Sequence, residues 1–232
     1  MGYHGAGIPA RRDPDPSQPQ EAPLPHPPDT LALALTGASG ARYGLRLLQC
    51  LLQAGVRVHL MVSEPGRLVT ELETDLTLPE APADMERLLT GHFAAGPGQL
   101  RVFGREHWTA PVASGSSAPQ AMAICPCTTA TLAAVATGSS RSLMERAADV
   151  MLKERHRLVL VVRETPLSEI HLEHMLRLTR MGAVILPASP AFYHHPEGID
   201  DLVDFVVART LDHLGIRNDL IPRWGEVPGG MD

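Results

Sequence analysis

A chain of 232 residues suits one α/β domain, with or without arms, and is long enough to bury a substantial core. With 20 basic against 26 acidic residues, a formal net charge of −6 and only 4% aromatics, it has neither the basic field nor the stacking rings that nucleic acid requires. Cys50, Cys125 and Cys127 make no disulfide framework and suit a reducing cytoplasm, and no 18-residue apolar run predicts a membrane span.

Residues 1–29 hold eight prolines and almost no large apolar side chains, so burial cannot offset the entropy of ordering them. They read as a flexible arm. The start has no apolar h-region, and Met1-Gly2 is not followed by the hydroxyl residue that myristoylation wants at position 6, which is Ala6. The folded domain is expected over 30–216, with 217–232 as a C-terminal segment.

Leu31–Leu35 is a short apolar run ending in Thr-Gly and predicts a buried parallel strand. Ala41–Gln53 carries Leu45, Leu48 and Leu52 at helical spacing and stops at Ala54-Gly55. Val56–Val62 predicts the second strand and Pro65–Glu73 a helix. From Thr74 to Gly115 the pattern is irregular, with a short helix at Ala83–Thr90. Met122–Cys125 predicts a strand followed by a Cys-Pro-Cys-Thr-Thr turn. Helices are predicted at Thr129–Ala136 and Leu143–Lys153, then a strand at Leu158–Val162. A helix at Ile170–Met181, a strand at Ala183–Leu186 and a helix at Ile199–Leu214 complete the series. Strands alternating with helices argue for a Rossmann-like doubly wound parallel sheet in a three-layer α/β/α fold.

Ligands in such folds sit beyond the carboxyl ends of the strands. Five predicted strand ends carry small or polar turns: Gly37–Gly40, Ser63, Cys125–Thr131, Arg163–Pro166 and Pro187–Tyr193. Thr36-Gly37-Ala38-Ser39-Gly40 lets backbone amides approach an anion, or forms a tight turn with a serine cap; it is neither G-x-G-x-x-G nor a Walker loop. Ser63 reads as a phosphate or ribityl contact or as a helix cap. Glu64 has the position of a ribose-binding acid but lacks the glycine fingerprint. Thr128, Thr129 and Thr131 put hydroxyls and amides at a helix start, which suits phosphate. Cys125 and Cys127 alone are half a zinc site and read as buried thiols. Asp200-Asp201-Leu-Val-Asp204 has the D-D-x-x-D spacing of magnesium-dependent prenyl-diphosphate enzymes, but it opens a helix, where acids serve the dipole. His171, His174, His194 and His195 lack partners at metal spacing. Arg146 and Lys153, seven apart, share a helix face.

Taken together, T-G-A-S-G-A-x-Y-G at 36–44, E-T-D at 73–75, S-G-S at 114–116 and C-P-C-[ST]-T at 125–129 resemble the flavin prenyltransferases of the UbiX/Pad type. So do E-R-A-A-D-V-x-L-K-E-R at 145–155, R-E-x-P at 163–166 and P-x-F-Y-H at 190–194. With P-R-W-G at 222–225 the likeness is greatest to pseudomonad members. It runs from about Leu31 to Trp224 and implies the flavoprotein version of the fold. Members attach a dimethylallyl group from dimethylallyl monophosphate to N5 and C6 of reduced FMN, without metal. Their product, prenylated FMN, serves UbiD-type decarboxylases, and the assembly is usually a homo-dodecamer.

The resemblance implies that Gly37, Ala38, Ser39, Ser63, Thr128, Thr129, Ala130, Thr131 and Arg163 hold FMN. It assigns the substrate phosphate to Arg146, Lys153, Glu164, Tyr193 and Arg209. Ser39 and Glu73 handle protons at the flavin, Glu164 passes one to the departing phosphate, and Trp224 helps close the site. Several cations are what a metal-free enzyme needs to stabilise charge on a leaving phosphate. Two other functions remain open: an FMN-dependent decarboxylase of cysteine-containing substrates and a non-enzymatic flavin carrier. The first needs a histidine on the helix after the first turn, and none stands between Ala41 and Gly55.

Overall fold

Pro28 to Arg223 are described by the computed structural model. Six parallel strands form one sheet: β1 (Thr30–Leu35), β2 (Arg57–Val62), β3 (Leu100–Val102), β4 (Ala121–Cys127), β5 (Arg157–Val162) and β6 (Val184–Pro187). Seven α-helices accompany them: α1 (Ala41–Gln53), α2 (Glu64–Glu73), α3 (Pro82–His92), α4 (Thr129–Thr137), α5 (Leu143–Lys153), α6 (Glu169–Arg180) and α7 (Ile199–Leu214). The strand order is β3-β2-β1-β4-β5-β6, so the chain works outward from β1 in one direction and then from β4 in the other. The expected Rossmann-like three-layer α/β/α fold is the one observed.

Alternation along β1 divides the core. Leu31, Leu33 and Leu35 pack with α1, α3 and α7, while Ala32 and Ala34 face the layer of α4, α5 and α6. All five are buried, as expected of a strand covered on both faces. Two elements differ from the sequence expectation. β3 lies in the stretch read as irregular; three residues on the sheet edge leave almost no period to detect. The Cys-Pro-Cys segment continues β4 instead of ending it, with a cis Cys125–Pro126 bond and a shift in register towards β5 between Ile124 and Cys127.

All three cysteines are free and buried. Burial pushes the thiols of Cys125 and Cys127 up, the latter to about 12, chiefly by desolvation. Native protein is therefore expected to resist iodoacetamide at pH 8 and to react at Cys125 and Cys127 only on unfolding, read by mass spectrometry. The sign for stability follows. An unfolded Cys127 loses its proton near 9.0 and the folded one near 12, so this contribution is complete below pH 9 and is lost as pH rises through that window.

Among the described residues no helix is long and apolar enough to cross a membrane.

Candidate active site

The sheet reverses its strand order between β1 and β4, and the crevice beyond their carboxyl ends is where this architecture holds ligands. Two helices begin there. α1 follows Gly40, whose φ of 114° is a left-handed conformation that other residues rarely adopt. α4 is capped by Thr128, whose hydroxyl accepts from the Thr131 amide at 3.1 Å and donates to the Thr131 hydroxyl at 2.9 Å. Thr36 joins the turns: its hydroxyl donates to the Pro126 carbonyl at 2.7 Å and accepts from the Thr128 amide at 2.8 Å. From β5, Arg163 Nε donates to the Ser39 carbonyl at 3.0 Å. Gly37 lies against α2, where an added Cβ would stand 2.3 Å from Pro65 Cβ. Ala38 is buried within the turn. Ser63 caps α2, accepting from the Gly66 amide at 3.0 Å.

Glu73, the last residue of α2, takes up the exposed amides of α1. Its two oxygens accept from Gly40 N at 2.8 and 3.1 Å, and one also from Ala41 N at 2.8 Å. An acid on those amides also satisfies the positive end of α1. These backbone bonds place the Glu73 carboxylate one residue beyond Ser39 along the turn. Glu164 stands free of Arg163, and its Oε1 accepts from the Thr165 amide at 3.0 Å.

A cavity of about 470 Å³ opens beside these turns, within the usual range for a ligand pocket. Ser63 and Thr131 give it hydroxyls, while Met61, Phe103 and Met144 give it apolar walls. A second groove of about 530 Å³ lies between α1 and α7. Two of its acids are taken there by arginines, Arg42 with Asp200 at 3.0 Å and Arg46 with Asp204 at 2.7 Å. Asp201 accepts from the amides of Glu197 and Gly198, so the D-D-x-x-D run serves capping and ion pairs. Among the described residues no cluster of three or more His, Cys, Asp or Glu could hold a metal ion.

The residues expected to hold the substrate phosphate divide into two groups within the chain. Tyr193 packs edge-on to Phe205 of α7, with ring centroids 6.0 Å apart, and Arg209 lies one turn further along that helix. Arg209 is held by Asp212 at 2.7 Å, which also takes Arg223 at 2.8 Å. Arg146 and Lys153 lie elsewhere, on α5. Arg146 donates to the Ala113 carbonyl at 3.1 Å and to Asp149 at 2.8 Å, and Lys153 pairs with Glu154. α5 runs against β5, so Lys153 stands at the amino edge of the sheet while Arg163 and Glu164 stand at its carboxyl edge. The strand between those edges spans about 20 Å. One chain alone therefore does not gather the set. Trp224 lies outside the described residues, as do residues 1–27 of the arm.

The family described as Flavoprotein matches residues 20–211. A flavin prenyltransferase UbiX from Pseudomonas aeruginosa is 60% identical over 199 residues, covering 86% of this chain and 95% of that protein.

The chain belongs to the UbiX flavin prenyltransferase family of flavoproteins.

Solved members have the same fold. The crystal structure of AnUbiX (PadA1) in complex with FMN and dimethylallyl pyrophosphate superposes with a TM-score of 0.74 at 42% identity, over 84% of this chain and 96% of that one. The dodecameric FMN-dependent UbiX-like decarboxylase from Escherichia coli O157:H7 gives 0.74 at 41% identity, over 84% and 98%. For a UbiX-family chain, three structural features went unread in the sequence. Thr36 is the hydrogen-bonded join between the turns that follow β1 and β4. Asp149 and Asp212 hold Arg146 and Arg209, each by an i,i+3 pair that the spacing alone could have suggested.

Proposed function

We propose that this protein transfers a dimethylallyl group from dimethylallyl monophosphate to N5 and C6 of reduced FMN and releases prenylated FMN. The observation that carries the reading is the crevice at the β1/β4 reversal. There the α1 and α4 starts are tied together by Thr36, and Arg163 is fastened to the same turn. Amides and hydroxyls at the start of α4, with the Ser63 hydroxyl at the cavity, suit a flavin phosphate and ribityl chain, and the apolar walls of that cavity suit an aromatic ring system. The residues thus fit FMN: Gly37, Ala38 and Ser39 on one turn, Ser63 at the cavity, Thr128–Thr131 on the second turn, and Arg163 across them.

When bound, reduced FMN supplies the nucleophilic N5 and C6. The protein's own residues supply positions and protons. Arg146, Lys153 and Arg209 stabilise the charge that grows on the leaving phosphate, Tyr193 donates a hydrogen bond to it, and Glu164 delivers its proton. Glu73, beside Ser39 on the α1 turn, takes the proton that ring closure releases at C6. The separation of Lys153 from Arg163 is met by an assembly in which a neighbouring copy brings its α5 cations to the site. The dodecameric relative supports such an arrangement. Residues 217–232, with Trp224, close the site over the 30–216 domain, and residues 1–29 form an arm outside it. The reading needs no metal. It places the enzyme in the cytoplasm, where buried free cysteines stay reduced, and passes its product to a UbiD-type decarboxylase.

The test is anaerobic incubation of the purified protein with reduced FMN and dimethylallyl monophosphate, with the diphosphate in parallel. The flavin is expected to gain one prenyl unit in mass, faster with the monophosphate. A flavin of unchanged mass in both arms would leave a carrier, and faster reaction with the diphosphate would change the co-substrate.

A further inference from the structure

Lys153 is the only lysine in the chain; the other 19 of its 20 Lys and Arg residues are arginines. Arginine and lysine are not interchangeable where a compact, rotatable charge is needed. A sequence that uses arginine everywhere else and lysine here singles the position out for an ammonium. Its surroundings are equally particular. Lys153 ends α5, and its Nζ pairs with the carboxylate of the next residue, Glu154. That carboxylate rests on the bare backbone of Gly115, where an added Cβ would lie 1.9 Å from Glu154 Oε1 and 2.4 Å from its carboxyl carbon. Gly115 has no left-handed φ, so what the glycine provides there is room for the Glu154 carboxylate, not backbone freedom. The same loop fixes the other α5 cation, because Arg146 Nε donates to the Ala113 carbonyl two residues earlier.

We infer that Glu154, seated on Gly115, is a positioning residue that sets where the Lys153 ammonium stands, so that the 113–116 loop aligns both α5 cations before substrate arrives. The inference rests on the reading of Lys153 as a phosphate-holding residue. Glu154 and Gly115 act through the Lys153 side chain. Their effect is to restrict a flexible four-carbon stem ahead of binding, and ordering such a side chain on binding weakens affinity by roughly 2- to 12-fold. The glutamate carries the charge that holds Nζ, and the glycine keeps that glutamate in place.

The lone lysine makes a clean test, because reductive methylation of Lys153 can be followed by peptide mass in the assembled protein. Glu154→Gln keeps the side chain's shape and removes its charge. Gly115→Ala displaces the tip of a side chain, which can shift without unfolding the loop. Both are expected to speed methylation of Lys153 and to raise KM for dimethylallyl monophosphate by roughly 2- to 12-fold, with the loss on KM, not kcat. The double variant is expected to be no worse than the more affected single one, since both act through one carboxylate. Unchanged methylation in the two single variants overturns the seat, as does strict additivity in the double. Lys153→Ala separates this inference from the reading beneath it. If that variant leaves KM unmoved while Glu154→Gln still speeds methylation, the seat stands and the phosphate role of Lys153 falls.

Discussion

Glu73→Gln is expected to keep FMN bound and to lose turnover by about 10²- to 10⁴-fold, the usual worth of a positioned acid or base. The substitution also has a structural cost, and the two must be told apart. The carboxylate accepts from the amides of Gly40 and Ala41, capping α1 at the turn that carries Ser39. A glutamine keeps one acceptor oxygen but turns its amide nitrogen towards a backbone donor. Losing part of a helix cap costs about 1 kcal/mol, or about 2–4 °C in melting midpoint for a domain of this size. Single-turnover mass spectrometry with flavin-loaded variant measures the rate, and thermal melting measures the cap. A rate loss under about tenfold, beside a melting shift of that size, would remove Glu73 from proton transfer and leave it as the α1 cap.

How much of this was legible in the sequence depends on the range of the interactions concerned. α1 and α7 begin and end where apolar spacing and terminal glycines place them, and α5 where apolar spacing alone does, because those signals act within a few residues. β3 escaped for lack of length. Pro126 suggested a turn, yet the strand runs through it, and its carbonyl accepts from the Thr36 amide at 3.2 Å and the Thr36 hydroxyl. The seven-residue spacing of Arg146 and Lys153 correctly gives one helix face. It cannot tell that α5, running against β5, carries Lys153 to the far edge of the sheet. Nor can a pattern show which amide a glutamate reaches, since the target of Glu73 is set by how α2 lies across α1. The strand-end turns were legible because topology puts every carboxyl end on one edge. The partners that hold them together were not, because they lie far apart in the chain: 92 residues from Thr36 to Thr128 and 124 from Ser39 to Arg163.

Thr36→Val tests the first of those long-range joins and is expected to damage both stability and flavin binding. The threonine is 3% exposed, and its hydroxyl is both donor and acceptor within the crevice. Valine has nearly the same shape, so packing survives while the hydroxyl's bonds vanish. The Thr128 amide loses its acceptor and the Pro126 carbonyl keeps only the longer bond from the Thr36 amide. An orphaned buried donor costs about 1–3 kcal/mol, which at about 2–4 °C per kcal/mol is a melting shift of roughly 2–12 °C. Released from Thr36, the start of α4 should also hold FMN less tightly, so the stabilisation that added FMN gives to the wild type should shrink in the variant. Thr36→Ser, which keeps the hydroxyl, should recover most of both effects. An unchanged midpoint for Thr36→Val would mean that β1 and β4 need no such join. A lowered midpoint with full FMN stabilisation would mean that the join serves the sheet alone. Only the paired loss ties the Thr36 hydroxyl to flavin binding at the turn that begins with the next residue.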